Sequence, residues 1–120
     1  MDSSAGAAEQ GGPPLSVSCV LGSPSVVRVY GEADLDNAGL LREAADQALA
    51  HRPDVVFDLA GVTFADSTFL TVLLQARQTA LGQGGTILLA APSTSVQRLL
   101  SVVGAADLFP VVTAEQRKHS

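Results

Sequence analysis

Residues 54–60 read DVVFDLA, a nearly unbroken apolar run rich in β-branched side chains. A half-exposed strand alternates apolar and polar residues, so a run without alternation predicts a central strand covered on both faces. The flanking sequence offers the cover. Before it, Leu41, Ala44, Ala45, Ala48 and Leu49 recur at helical spacing, with Asp36 or Asn37 placed to cap and Pro53 to stop the helix. After it, Leu70, Leu73, Leu74 and Leu81 share one helical face, Thr71, Gln75 and Gln78 fall largely on the other, and Gly82 ends the element ahead of a GQGG turn.

The same alternation continues outward. LSVSCVLG (residues 15–22) and VVRVYG (residues 26–31), joined by SPS, predict a strand pair, with Cys19 on the inward side of the first. TILLAAP, from Thr86, predicts another buried strand. Ser93 or Thr94 can cap a helix bearing Val96, Leu99, Leu100 and Val103, which Gly104 closes, and LFPVV ends in a short edge strand because Pro110 lacks an N–H. The predicted order is β-β-α-β-α-β-α-β. Strands alternating with single helices define an α/β class, a mixed and mostly parallel sheet of about five strands with helices packed against it.

The chain's 120 residues suit one domain, placed at 15–113. Residues 1–14, MDSSAGAAEQGGPP, are small, polar, Gly and Pro after the Met and predict a disordered tail; residues 114–120 predict a second tail, partly helical at most. The start lacks the basic and apolar parts of a secretory signal, and no apolar run is long enough to span a bilayer, so the expected location is the cytoplasm. One cysteine excludes a disulfide framework or a Cys-based metal site. Net charge is −5, and three arginines against eight carboxylates between Arg28 and Asp66 account for all of it. An acidic chain without a basic stripe repels nucleic acid and favours a basic protein surface.

Between the central strand and the helix that follows lies Asp66-Ser67-Thr68. These residues have two readings. They can cap the helix, a contribution of about 1 kcal/mol. Alternatively, an exposed serine at a helix N-terminus is a phosphorylation site whose product the helix end tolerates. Other candidates carry less. Thr68 is a second-choice acceptor, Ser3 and Ser4 have no recognisable context, and His51 and His119 are too far apart in sequence to suggest a pair. The glycines of GQGG have no following Lys or helix to make a phosphate cradle, and no G-x-S-x-G elbow occurs.

Four segments in register, GEADLDNA (31–38), VVFDLAGVTFADST (55–68), GGTILLAAPS (84–93) and VQRLLSVVGAADLF (96–109), resemble the STAS-domain anti-sigma factor antagonists. The resemblance runs from about Leu15 to Val112. It implies a non-enzymatic switch with no cofactor of its own. Ser67 would be phosphorylated by an anti-sigma factor that is a serine kinase of the histidine-kinase-like ATPase fold, and ATP and magnesium would belong to that kinase. The unmodified form would bind the anti-sigma factor and release its sigma factor, the phosphorylated form would not, and a serine phosphatase would reset it. Glu32, Asp34, Asp66, Ser67, Thr68, Phe69 and Thr71 would form the docking surface. Phe69 stands where the family usually has Gly, either as core or as an exposed anchor. Two alternatives belong to other classes: a static scaffold in which Ser67 only caps, and a small-ligand or nucleotide sensor using the strand ends near Asp34 and Asp66.

Overall fold

The structure, a computed structural model, describes residues 14–34 and 36–112. Most of residues 1–14, Ser3 and Ser4 among them, and residues 114–120 with His119 lie outside the described residues. Five strands form one sheet in the order β1-β2-β3-β4-β5: β1 Ser16–Val20, β2 Ser25–Ala33, β3 Val55–Ala65, β4 Ile87–Ala90 and β5 Val111–Val112. The first pair is antiparallel and the other three are parallel. Three helices make the crossovers: α1 Ala38–His51, α2 Ser67–Gly82 and α3 Thr94–Val102. A 3-10 turn at Ala106–Leu108 precedes β5. The predicted class and element order are those observed.

Successive parallel strands added in one direction by right-handed crossovers put their helices on one face of the sheet. The core agrees. Leu41 and Ala45 of α1, Leu73 and Ala76 of α2, and Val96 and Leu100 of α3 share one apolar cluster with Val27, Val29, Val55, Phe57, Ile87 and Leu89. The intervening strand residues, Arg28, Tyr30, Asp58 and Leu88 among them, point to the second face. Coverage of β3 on both faces holds for its first half, where Val55, Val56 and Phe57 are all buried. Its second half is covered on one face only.

Both long strands run further than their apolar signal. β2 continues through Gly31, Glu32 and Ala33, and β3 through Gly61 to Ala65. Two register shifts accompany the extension: Arg28 faces Asp58 but Tyr30 faces Gly61, and Gly31 faces Val62 but Glu32 faces Phe64. Each shift inserts one extra residue in β3, which is a β-bulge. Gly31 sits at the second with φ 94°, a backbone that disfavours any side chain.

Several expectations at helix ends are corrected. Neither Asp36 nor Asn37 caps α1 with its side chain; Asn37 holds the capping position without a side-chain bond. Asp34 organises that end instead, its Oδ1 accepting from the N–H of Asp36 and of Asn37 at 3.1 and 3.2 Å. Leu81 is half exposed, because Ala76 and Ala80 hold the buried positions in the last turns of α2. That helix does end at Gly82, with Gln83 in the capping position and the left-handed Gly84 after it. Val103 is also half exposed, lying past the end of α3. Ser93 does cap α3, accepting from Val96 N–H at 3.3 Å. Cys19 is half-buried against the core, and burial pushes its thiol pKa up, so little thiolate forms.

Gly85 enters β4 directly beside Pro53, and a Cβ there would overlap the Pro53 backbone carbonyl. Gly39 in α1 has open space around it. Gly85→Ala should therefore cost roughly 1–3 kcal/mol, and Gly39→Ala should gain about 0.5–1 kcal/mol. Chemical denaturation of the two variants beside wild type checks the opposite signs.

Candidate functional site

The second bulge brings the ends of β2 and β3 level, with Glu32 opposite Phe64 and Ala33 opposite Ala65. One residue on, Asp66 N–H donates to Ala33 C=O at 3.3 Å. The acidic segment after β2 and the start of α2 therefore lie side by side, at the carboxyl ends of parallel strands. Open α/β sheets usually bind their ligands and partners at that end.

Asp66 caps α2. Its backbone is extended, and Oδ1 accepts from Thr68 N–H at 2.9 Å and Phe69 N–H at 3.2 Å. Two of the helix's otherwise unpaired donors are thereby satisfied by one carboxylate. Ser67 is the first helical residue and is exposed. Its carbonyl accepts from Thr71 Oγ1 at 2.9 Å, while its own hydroxyl has no hydrogen-bond partner among the described residues. The capping function thus falls to Asp66, not to Ser67 or Thr68, and the serine hydroxyl stays available.

Phe69 resolves to one of its two readings. It is 1% exposed and belongs to the core, so it holds the first turn of α2 from beneath instead of being displayed. Thr68 is half-buried and Thr71 exposed. On the other side of the junction, Asn37 Nδ2 donates to Glu32 C=O at 3.3 Å, tying the start of α1 back to the end of β2. Four carboxylates, those of Glu32, Asp34, Asp36 and Asp66, belong to these two adjoining segments. Arg28, the arginine on the same strand, is engaged with Asp58, Nε to Oδ2 at 3.2 Å. The field at this end is negative and suits a cationic partner.

Two cavities lie away from this junction. One of about 250 Å³ runs between β1 and α1, lined by Val17, Cys19, Leu40, Glu43, Ala44 and Gln47. Another of about 260 Å³ lies between α1 and α2 against Arg42, Asp46 and Gln75. Among the described residues no group of three or more His, Cys, Asp or Glu side chains converges to hold a metal ion. Among them, too, no helix is long and apolar enough to cross a membrane. His51 is exposed at the end of α1, away from the junction. Sequence reasoning missed the turn-forming part of Asp34, for which the only signal is an Asp three residues before the capping position, Asn37.

Comparison with known proteins points to one family. The family model described as Mlab, STAS domain matches residues 21–113. Among solved structures, an anti-sigma factor antagonist from Mycobacterium paratuberculosis is 26% identical, over 91% of this chain and 96% of its own, with a TM-score of 0.77. The anti-sigma factor antagonist SpoIIAA in its unphosphorylated form is 18% identical, over 86% of this chain and 93% of its own, with a TM-score of 0.73. The phosphorylated form of SpoIIAA, a Bacillus cell fate determinant, matches at 18% identity over 88% and 97%, with a TM-score of 0.67. No curated protein sequence matches the chain.

If one carboxylate carries the cap, Asp66→Ala should lower stability by about 0.5–2 kcal/mol, while Ser67→Ala should change it by less than about 0.5 kcal/mol. Urea titrations of both variants decide this; equal losses would return the cap to the serine.

Proposed function

The chain belongs to the STAS domain family, and from that premise we infer that it is an anti-sigma factor antagonist switched by phosphorylation of Ser67. The observation that carries this reading is the division of work between neighbours. Asp66 accepts from the Thr68 and Phe69 N–H groups, leaving an exposed hydroxyl beside it with no competing bond among the described residues. A serine that capped its own helix would have to give up that bond to react; Ser67 gives up nothing.

In this reading residues 15–113 are the binding domain, and the partner is an anti-sigma factor that is itself a serine kinase. Unmodified antagonist binds it and releases the sigma factor. ATP and its magnesium belong to the kinase. The Ser67 hydroxyl oxygen attacks the γ-phosphorus, its proton passes to a base, the bond to the β-phosphate oxygen breaks and ADP leaves. Water later attacks the phosphoserine phosphorus in a partner phosphatase, releasing inorganic phosphate and restoring the hydroxyl. The antagonist itself catalyses nothing. Use of ATP assigns the exchange to the cytoplasm.

The electrostatics give the switch its size. A phosphoserine adds about two negative charges to an end already carrying four carboxylates. Repulsion between like unit charges 5 Å apart is roughly 1–3 kcal/mol across effective dielectrics from about 80 to 20. A partner surface matched to the acidic end, with its own acceptors placed to meet Ser67, would lose one to several powers of ten in affinity. The helix start can bear the modification, since an anion at an N-terminus meets a favourable dipole. Phosphorylation therefore alters recognition with little cost to the fold. Glu32, Asp34, Thr68 and Thr71 flank the hydroxyl as contact residues, while Phe69 acts through the core.

Intact mass spectrometry of wild type and Ser67→Ala, each incubated with host-cell extract and ATP, tests the reading. Wild type should gain one phosphate and the variant none. Gain by both would move the acceptor to another residue, Thr68 first. No gain by either, in an extract that phosphorylates a known antagonist, would leave a static scaffold. Ser67→Asp should bind the isolated kinase at least about tenfold more weakly than wild type.

A further inference from the structure

The two bulges of β3 keep it in step with β2 on the second face of the sheet. Alternate residues of β2, namely Arg28, Tyr30 and Glu32, stand opposite Asp58, Gly61 and Phe64. Val27, Val29 and Ala33 point into the core, so this row faces away from the helices. At one end the Arg28–Asp58 ion pair closes it. In the middle the Tyr30 ring lies over Gly61, where a Cβ would run into it. At the other end comes Phe64, three residues before Ser67. Tyr30 and Phe64 are each 47% exposed. Strand geometry puts such diagonal neighbours about 7–8 Å apart, within reach of one incoming side chain. On the β1 side the platform is bordered by Ser16, which faces Tyr30, and Ser18, which faces Arg28; both are small and exposed.

We propose that Tyr30 and Phe64 form an aromatic platform that receives an arginine or lysine side chain of the anti-sigma partner, so that the docking surface wraps from Ser67 onto the sheet face opposite the helices. The proposal rests on the antagonist reading and names a contact that reading does not contain. Exposed aromatics are the commonest anchors of protein interfaces. Ring faces attract cations, and the neighbouring carboxylates of Glu32, Asp34, Asp36 and Asp66 select for one. Charge also decides against other occupants. A purely apolar partner would strip water from the carboxylates of Asp34, Asp36 and Asp66 and offer no charge in return, and a second copy would bring like charges together. Gly61 is a positioning residue here: it lets the Tyr30 ring lie flat.

The test follows the initial rate of Ser67 phosphorylation against antagonist concentration, using host-cell extract with ATP and intact mass as the readout. Tyr30→Ala and Phe64→Ala should each raise the half-saturating concentration at least about tenfold and leave the maximal rate nearly unchanged. Tyr30→Phe, which keeps the ring, should match wild type. So should Val20→Ala, an exposed apolar residue paired with Val26 at the far end of the sheet. Should Phe64→Ala melt early, Phe64→Leu keeps the bulk without the ring face and gives the same comparison. Unchanged half-saturation in both alanine variants would overturn the platform, as would a loss confined to the maximal rate. No phosphate on wild type would overturn the antagonist reading itself, and the platform with it.

Discussion

The burial of Val55, Val56 and Phe57 at the start of β3 is the constraint from which the rest follows. A strand covered on both faces has no polar side to offer water, so it must have neighbours in the sheet on either edge and side chains packed above and below. Here the edges are filled by β2 and β4, both parallel to it. Parallel neighbours cannot be joined by tight turns, so each connection has to cross over as a helix. The crossovers then fix where chemistry can sit. Helix starts gather at the carboxyl ends of the strands, and the start of α2 comes directly after β3 while the acidic segment comes directly after β2. The adjacency of Asp34 and Asp66 is a product of topology, not of local sequence.

Element type was legible because the two apolar periods differ so clearly along this chain. DVVFDLA cannot be laid on a helical face, and the spacing of Leu41, Ala45 and Ala48 cannot be laid on a strand. What stayed hidden were choices between neighbours of similar chemistry. Asp34, Asp36 and Asn37 can all bond to free N–H groups, as can Asp66, Ser67 and Thr68. Which one does so turns on a single pair of backbone angles at each site, and Asp66 is the residue with the extended ones. Leu81 and Val103 show a different limit. Both continue an apolar period, but a period says nothing about where the surface beneath it ends. The bulges were hidden for a similar reason, since an extra residue in one strand is defined only against its partner.

The family resemblance and the physical reading meet at Asp66-Ser67 but rest on different grounds. The solved relatives share the fold across nearly their whole length. The local geometry adds why the proposed phosphorylation of Ser67 would leave the helix that presents it in place. A cap carried by the reacting residue would couple stability to phosphorylation, and each cycle would loosen the first turn by about 1 kcal/mol. Placing the cap one residue earlier, on Asp66, separates it from the proposed acceptor. Phe69, buried in the core, strengthens that separation by fastening the same turn from beneath.

Extension of β2 and β3 beyond their apolar segments has a cost that points toward function. The added residues include Gly31 in a left-handed backbone and two bulges, features that weaken a sheet, and they add only Ala33 and Val62 to the core. Ending both strands near Tyr30 and Leu59 would avoid the bulges and forgo the burial of Ala33 and Val62. Continuing them instead carries Glu32, Phe64 and Asp66 forward to one rim, and turns Phe64 to the same face as Tyr30. Two half-exposed aromatics on one face, close to carboxylates, make a surface that the proposed partner would cover. The sheet is lengthened at the end where we propose that the partner docks, while the tightly packed half of β3 lies at the other.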